Sequence, residues 1–439
     1  MKSLDHIAAE LQGYDPQALP AHTVNAFLAQ LVTSPTHSEE VPLMATLGRV
    51  LAQDVVSPID VPAHDNSAMD GYAFAGAALA AGGALNLRVA GTALAGAAYP
   101  GTVSHGECIK IMTGAVMPPG LDTVVPQELV EVTGSGLGTD MQITLAAGVV
   151  RPGDNRRARG EDLQQGKTAL SAGAVLTPAA LGLLASLGMA TVRVFRRLRV
   201  AYFSTGDEIL SLGEAPRAGA VFDSNRYTVW AMLQRMGIEC VDLGVVRDDP
   251  GALEAAFRSA AAQADAIITS GGVSVGEADH TKATMRQLAQ SDTPGEGGVV
   301  FWRIAMRPGR PMAVGRIGQV PLFGLPGNPV AVMVTFLAFV RPALWRMLGA
   351  NAHDPAINPP LLKARSLAAI RKKPGRTEYQ RAIVSTDAGG GLCVQTTGDQ
   401  GSGVLSSMVR ANGLLVLHHD QGAVAPGDMV DVMVFAGVM

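Results

Sequence analysis

The 439-residue chain is expected to be α/β plus β and multidomain. It should hold a doubly wound, mostly parallel α/β domain, a β-rich subdomain, a small helical or mixed segment and a C-terminal β-barrel-like domain. A pattern that occurs three times predicts the α/β domain: an apolar strand, a Gly-containing turn, then a helix start. The three copies are Arg199–Glu208, Ala266–Asp279 and Val320–Val330. Short continuous apolar runs alternating with helical segments indicate a parallel sheet covered on both faces. A second observation is the stretch from Val55 to Val150, where short β-branched segments alternate with Gly/Pro turns, as in an all-β subdomain. Length is the third, since roughly 150 residues per domain gives about three domains.

The elements follow in order. Leu4 to Leu11 reads as a short helix and Thr23 to Leu31 as an amphipathic one. Val41 to Ala52 reads as a strand followed by a helix. Strands are expected at Leu85–Ala90, Glu107–Met112, Thr123–Pro126 and Met141–Leu145. A helix runs from Pro178 to Leu187, with Thr177 as cap and Gly188 as stop. In the α/β region Ser224 caps a helix to Met236, Glu239–Val246 is a strand and Asp249 caps a helix through Gln263. Asp279 or Thr281 starts another helix, ending near Gln290. Asn351 to Pro360 is a Pro-rich linker. Strands then return at Tyr379–Ser385, Leu392–Thr396, Gly413–Leu417 and Met429–Phe435. The resulting division is 12–50 plus 159–194 as a mixed linker or dimerisation domain, 51–158 as the β-rich subdomain, 195–350 as the α/β domain and 355–439 as the C-terminal domain.

Hydrophobic residues make up 48% and charged residues 16%, so large buried cores are within reach. The net charge of −4 argues against nucleic acid or an anionic membrane as the main partner, so any anion site must be a local cluster. Cys108, Cys240 and Cys393 are far apart, which suits reduced thiols of a cytoplasmic protein. No signal peptide is visible, because the start turns polar before an apolar core forms. The longest apolar run, Val330 to Val340, is too short to span a membrane and reads as a buried helix.

Ligands of open α/β sheets sit at the carboxyl ends of the strands. Those ends carry amides, hydroxyls and carboxylates together, which suits a phosphorylated ligand held partly through a divalent cation. Ser204, Thr205 and Gly206 can bind an oxyanion, with Asp207 and Glu208 as metal candidates or, for Ser204 and Asp207, as plain turn caps. Asp248 is the better metal candidate beside the capping Asp249. In Ser270-Gly271-Gly272-Val-Ser274, the glycines let backbone approach a ligand, and Asp279 further on is either a cation ligand or a cap. Glu208, Asp248 and Asp279, at successive strand mouths, fit Mg²⁺ better jointly than singly. Arg303, Arg307 and Arg310 form a basic strip that either enters the cleft or is a solvated surface. Pro326, Gly327 and Asn328 precede a helix N-terminus, an anion site, although Asn328 also reads as its cap. The polar run Asp65–Tyr72 and the Gly-Pro loop Met112–Gly120 carry no specific mechanism by themselves.

Taken together these motifs resemble the molybdopterin molybdotransferase family, which includes MoeA and the E domain of gephyrin. The resemblance runs through Asp65–Ala73, Met112–Ala115, Arg159–Asp162, Phe203–Glu208, Arg247–Asp249, Ser270–Asp279, Leu325–Pro329 and Ser402–Ser407, nearly the whole chain. It implies a transferase that takes adenylyl-molybdopterin and molybdate, inserts molybdenum at the dithiolene and releases AMP, with Mg²⁺ assisting. It also implies a homodimer whose active site joins the α/β domain of one subunit to the β subdomain of the other. A molybdopterin adenylyltransferase and molybdoenzymes are the further partners it suggests. By motif, Glu208, Asp248 and Asp279 resemble acidic residues near metal and phosphates, and Asp65, Thr113 and Asp162 resemble functional positions outside the α/β domain. Arg381 and Ser402 resemble residues near the molybdate end. One departure is that the family typically has Lys in the stretch Trp302–Arg310, where this chain has Arg303, Arg307 and Arg310. Arg is a planar, bidentate donor rather than a point charge. Tungstate use, a divergent paralogue, an adenylyltransferase and a non-catalytic carrier are the alternatives.

Overall fold

The computed structural model describes residues 6–7, 15, 18–35, 37–134, 141–272, 280–291 and 298–439. The chain forms two compact units. One comprises Met1–Gln53, Ala172–Pro178 and Thr191–Met439; the other comprises Asp54–Ser171 and Ala179–Ala190.

The first unit is built on a six-stranded sheet. Its order is Glu239–Val246, Arg199–Thr205, Ala266–Ser270, Val320–Leu325, Pro311–Ile317 and Gly298–Arg303. The first four strands pair in parallel and the last two are antiparallel. Alternation along the Arg199–Thr205 strand feeds two cores. Val200 and Tyr202 join one with Val229 and Leu233 of the Ser224–Arg235 helix and with Phe336 and Phe339. Ala201 and Phe203 join the other with Leu253 and Phe257 of the Pro250–Gln263 helix and Met285 of the His280–Ser291 helix. Both faces of the sheet are therefore covered, as the continuous apolar strands required.

Two local expectations change. The N-cap of the Ser224–Arg235 helix is Asp223, whose carboxylate accepts from Arg226 N at 3.0 Å; Ser224 is the first helical residue. No helix follows the strand Ser38–Pro42. A short 3₁₀ turn, Leu43–Ala45, intervenes. Beyond it the backbone is taken up by long-range partners, with Gly48 N donating to Leu176 O, Leu51 N to Ala174 O and Phe195 N to Val50 O. Those bonds remove the groups a helix would need. The Leu4–Leu11 expectation falls mostly outside the described residues.

The stretch Pro329–Met347 is a 19-residue helical run, long and apolar enough to cross a membrane, yet almost all of it is buried inside the protein. It is a core element, as its share of the larger core shows. After it, residues 362–434 close into a five-stranded barrel, because the Thr377–Thr386 strand pairs with both Leu392–Thr396 and Gly413–Leu417. A short strand, Met306–Arg307, pairs in parallel with Thr377 and Glu378.

The second unit carries its own six-stranded sheet. Its order is Thr123–Pro126, Gly71–Phe74, Glu107–Ile111, Leu85–Ala93, Gln142–Leu145 and Glu131–Thr133. Phe74 and Val125 pack on one side, Ala73 and Val124 on the other. The helix Pro178–Ser186 and the stop at Gly188, with φ of 73°, match the expected turn chemistry.

Candidate active site

Two adjoining hollows of about 630 and 490 Å³ open at the carboxyl ends of the parallel strands in the first unit. They share Glu208, Gly271, Gly327 and Asn328. The larger also has Gly272, Arg307, Arg310, Pro326, Arg376, Gln400 and Ser402 in its wall. The smaller has Ser204, Thr205, Asp223, Asn225 and Ser270.

The floor is held rigidly. Tyr202 Oη lies 2.9 Å from Ser204 Oγ and 2.6 Å from Ser270 Oγ, and the two serine hydroxyls are 3.3 Å apart. This buried triangle ties two adjacent strand ends together. Burial, and then the nearby Asp223 charge, push the Tyr202 hydroxyl far up, so it stays protonated as a donor. Gly271 has φ of 89° and Gly272 of 61°. A Cβ on Gly271 would meet Thr205 O at 2.3 Å, and one on Gly272 would meet Thr281 Oγ1 at 2.3 Å. Only glycine fits either position, so this turn exposes bare backbone to the cleft.

The acidic turns meet at the same end. A Cβ on Gly206 would meet Glu208 Oε2 at 2.5 Å, so the Glu208 carboxylate folds back over its own turn at the cleft wall. Asp248 N donates to Asp207 Oδ1 at 3.4 Å, which joins the two acidic turns. Asp249 caps the Pro250–Gln263 helix by accepting from Ala252 N at 2.9 Å, as the sequence suggested. Asp279 and Ser274 lie outside the described residues. Among the described residues no group of three His, Cys, Asp or Glu side chains forms a metal cluster. Glu208 lines both hollows and Asp248 lines neither; one or two carboxylates plus phosphate oxygens is the donor set that Mg²⁺ takes.

The basic strip divides. Arg307 and Arg310 line the larger hollow, whereas Arg303 ends the sheet's edge strand with an exposed side chain and does not line it. Asn328 stands at the N-cap of the following helix without a side-chain capping bond. Asn225 Nδ2 donates to Gly327 O at 2.7 Å, and Val330 N donates to Ser402 O at 3.1 Å. The first bond ties the Pro326–Asn328 turn to the Ser224–Arg235 helix, and the second ties the start of the following helix to the 400–402 loop. Arg381 is fully buried. Its Nε donates to Ser407 Oγ at 2.9 Å and its Nη2 to Gly401 O at 2.9 Å and Asp399 O at 3.2 Å. It braces the loop that carries Ser402 and is not in the cleft wall.

Sequence reasoning missed Arg376, which lines the cleft from the barrel. The available signal was the basic run Arg371-Lys-Lys-Pro-Gly-Arg376, which by itself reads as a loop.

The second unit gathers its own polar residues. Asp65 Oδ1 accepts from Arg159 N at 2.8 Å and Oδ2 from Arg156 Nη1 at 3.3 Å. Thr113 donates through both N and Oγ1 to Asp70 Oδ1 at 2.7 Å, which holds the Asp70 carboxyl below its ordinary range. Gly114 N to Ser67 O and Met117 N to Asp65 O zip the 65–70 and 112–117 segments together. Asp162 is exposed, with its N–H bonded to Val61 O. The structure thus joins Asp65 to Arg156 and Arg159, and Thr113 to Asp70. Asp60 and Asp70, absent from the expected set, anchor Arg159 and Thr113 respectively.

Comparison with known proteins covers the chain almost end to end. Residues 19–188 match the MoeA N-terminal region (domain I and II), residues 201–346 a probable molybdopterin binding domain, and residues 363–435 the MoeA C-terminal region (domain IV). The chain is 39% identical to a molybdopterin molybdenumtransferase of Haemophilus influenzae, over 91% of this chain and 95% of that protein. It is 36% identical to molybdopterin molybdenumtransferase 2 of Mycobacterium tuberculosis, over 89% and 94%. Among solved structures, the molybdopterin biosynthesis moeA protein of Pyrococcus horikoshii superposes with a TM-score of 0.78 at 26% identity, over 95% of this chain and all of that one.

Proposed function

The chain belongs to the MoeA family of molybdopterin molybdenumtransferases, and we propose that it carries out the transfer in the cleft at the strand ends of its α/β domain. The single observation behind this placement is the meeting of three groups in one hollow: bare backbone at Gly272 and Gly327, the carboxylate of Glu208, and the side chains of Arg307, Arg310 and Arg376; the Gly271 N–H is taken by Leu325 O at 3.2 Å. Such a wall takes a substrate that is a pyrophosphate at one end and an oxyanion at the other.

In this reading adenylyl-molybdopterin and molybdate enter together. Two Mo–S bonds form as the two dithiolene thiols give up their protons and one molybdate oxygen leaves as water, while a water adds across the pyrophosphate linkage and splits it into AMP and the phosphate monoester of the pterin. The glycine turn and the Gly327 backbone bind the pyrophosphate, while Ser204, Thr205 and Ser270 line the adjoining hollow. Arg307 and Arg310 orient the oxyanion end together with Ser402, on the loop that Arg381 braces. Glu208 and Asp248, with Asp279 beyond the described residues, would hold Mg²⁺. When bound, the ion neutralises charge on the pyrophosphate and the departing AMP. Fixed donors aimed at developing charge lower the barrier because they need not reorganise during reaction.

The four-part division is retained in this proposal, with 12–50 plus 159–194 as the dimerisation part. A homodimer is proposed, in which Asp65, Thr113 and Asp162 contribute from the second unit. Partnership with an adenylyltransferase and molybdoenzymes, and a cytoplasmic setting for the three free cysteines, belong to the same reading. Molybdate-dependent release of AMP from adenylyl-molybdopterin tests the function. Glu208→Gln is expected to slow that release about 10²-fold or more without unfolding the protein.

A further inference from the structure

Arg376 enters the cleft wall from the barrel, and a buried carboxylate fixes it there. Glu378 Oε1 accepts from Arg376 Nε at 2.8 Å and is also 2.8 Å from Nη2. The other oxygen, Oε2, accepts from Gln380 Nε2 at 3.0 Å. Glu378 is 2% exposed, while the Arg376 side chain is 33% exposed. A guanidinium has five N–H groups in a rigid plane. Two of them face Glu378, which leaves the others for the cleft. Buried Lys372 completes the surroundings, its Nζ bonded to Lys373 O and Gln421 O.

The backbone supports the same placement. Thr377 N donates to Ala305 O at 2.9 Å, and Arg307 stands in register with Glu378 across the short parallel pair. The residue that fixes Arg376 is therefore tied to the segment that carries Arg307. A carboxylate this deeply buried is costly unless it is paired and hydrogen-bonded. Both conditions are met here by groups that lead to the cleft wall.

We propose that Glu378 is a positioning residue for the oxyanion end of the reaction: it locks Arg376 so that its free N–H groups, beside Arg307 and Arg310, receive the tetrahedral dianion molybdate. The proposal rests on reading this cleft as the transfer site. Glu378 acts through Arg376 and does not itself line the cleft.

The test uses the full chain with Mg²⁺, adenylyl-molybdopterin and varied molybdate, together with direct calorimetric titration of molybdate into the protein. Glu378→Gln is expected to raise the KM for molybdate about tenfold, while the rate at saturating molybdate and the affinity for adenylyl-molybdopterin stay within about twofold. Arg376→Gln raises that KM at least as much, and adding Glu378→Gln to it brings no further change. An unchanged molybdate KM in either folded variant, or additive effects in the double variant, overturns the proposal. A role confined to barrel stability would instead lower the melting temperature and persist in the Arg376→Gln background. Should Glu378→Gln not fold, Glu378→Asp, which keeps the charge but shortens its reach to Arg376, takes its place with the same expected rise in the molybdate KM, and an unchanged KM overturns the proposal. If the wild type releases no AMP, the transfer reading fails separately. Calorimetry still decides this proposal by whether molybdate binding weakens in both variants.

Discussion

Gly271 and Gly272 put bare backbone where any side chain would collide with Thr205 O or Thr281 Oγ1. Gly272→Ala is expected to cost about 1–3 kcal/mol of stability, from positive φ and the crowding together. Thermal unfolding measures this, and a loss of ligand affinity beyond the stability loss would place the turn in the phosphate site. These glycines were legible in the sequence because two adjacent glycines after an apolar strand have few other uses. Glu208 was legible for the same positional reason. Arg376 was not, since its place in the cleft comes from the pairing of Met306–Arg307 with Thr377–Glu378, some 70 residues away in sequence. Arg381 shows the reverse case. Its motif pointed to the site, but its guanidinium is spent on Ser407 Oγ and two carbonyls of the neighbouring loop. Arg381→Lys is expected to shift the 399–402 loop, because one ammonium cannot reproduce that planar set of bonds. Amide hydrogen exchange across the loop, faster in the variant, checks it.

The strands and helices of the α/β domain were largely readable because each apolar run is short and the Ser224–Arg235 and Pro250–Gln263 helices start at capping aspartates, Asp223 and Asp249. The errors arose where distant partners decide. The segment after Pro42 has helix-forming residues, yet its N–H groups donate to Ala174 and Leu176 and its Val50 carbonyl accepts from Phe195 instead. The core on the Phe203 face is held by Phe257, whose ring packs edge-on at 5.0 Å. Phe257→Ala is expected to cost about 3–5 kcal/mol, seen as a lower denaturation midpoint. Asp265, after the Pro250–Gln263 helix, links packing to pH. Burial pushes its carboxyl up, but Arg196, at 2.5 Å, and the Arg199 N–H more than offset this and hold it below the ordinary value. A carboxyl lowered on folding stabilises above its unfolded value, near 3.8, and that contribution is lost as pH falls through the folded value. Asp265→Asn should therefore cost on the order of 1 kcal/mol at pH 7, since Arg196 is partly exposed. The gap to wild type should close below pH 4 in parallel denaturant melts. A gap that stays constant with pH would contradict this account.

At the scale of the molecule, the near-neutral charge left room only for local anion sites, and the cleft concentrates three arginines within one hollow. Residues 201–346 supply the strand ends and 363–435 the barrel, and the cleft is lined from both. The C-terminal barrel was expected from the sequence and the structure closes it, but the order of its strands was not readable. Which strands meet depends on the long-range pairing of Thr377–Thr386 with Gly413–Leu417, which no local pattern announces. The measurement that tests the central claim most directly is AMP release from adenylyl-molybdopterin with and without molybdate, for wild type and Glu208→Gln at matched folding. Release that depends on molybdate in the wild type and falls about 10²-fold or more in the variant is the predicted result. Equal release by both proteins would remove the chemistry from this cleft, and wild-type release indifferent to molybdate would contradict the transfer itself.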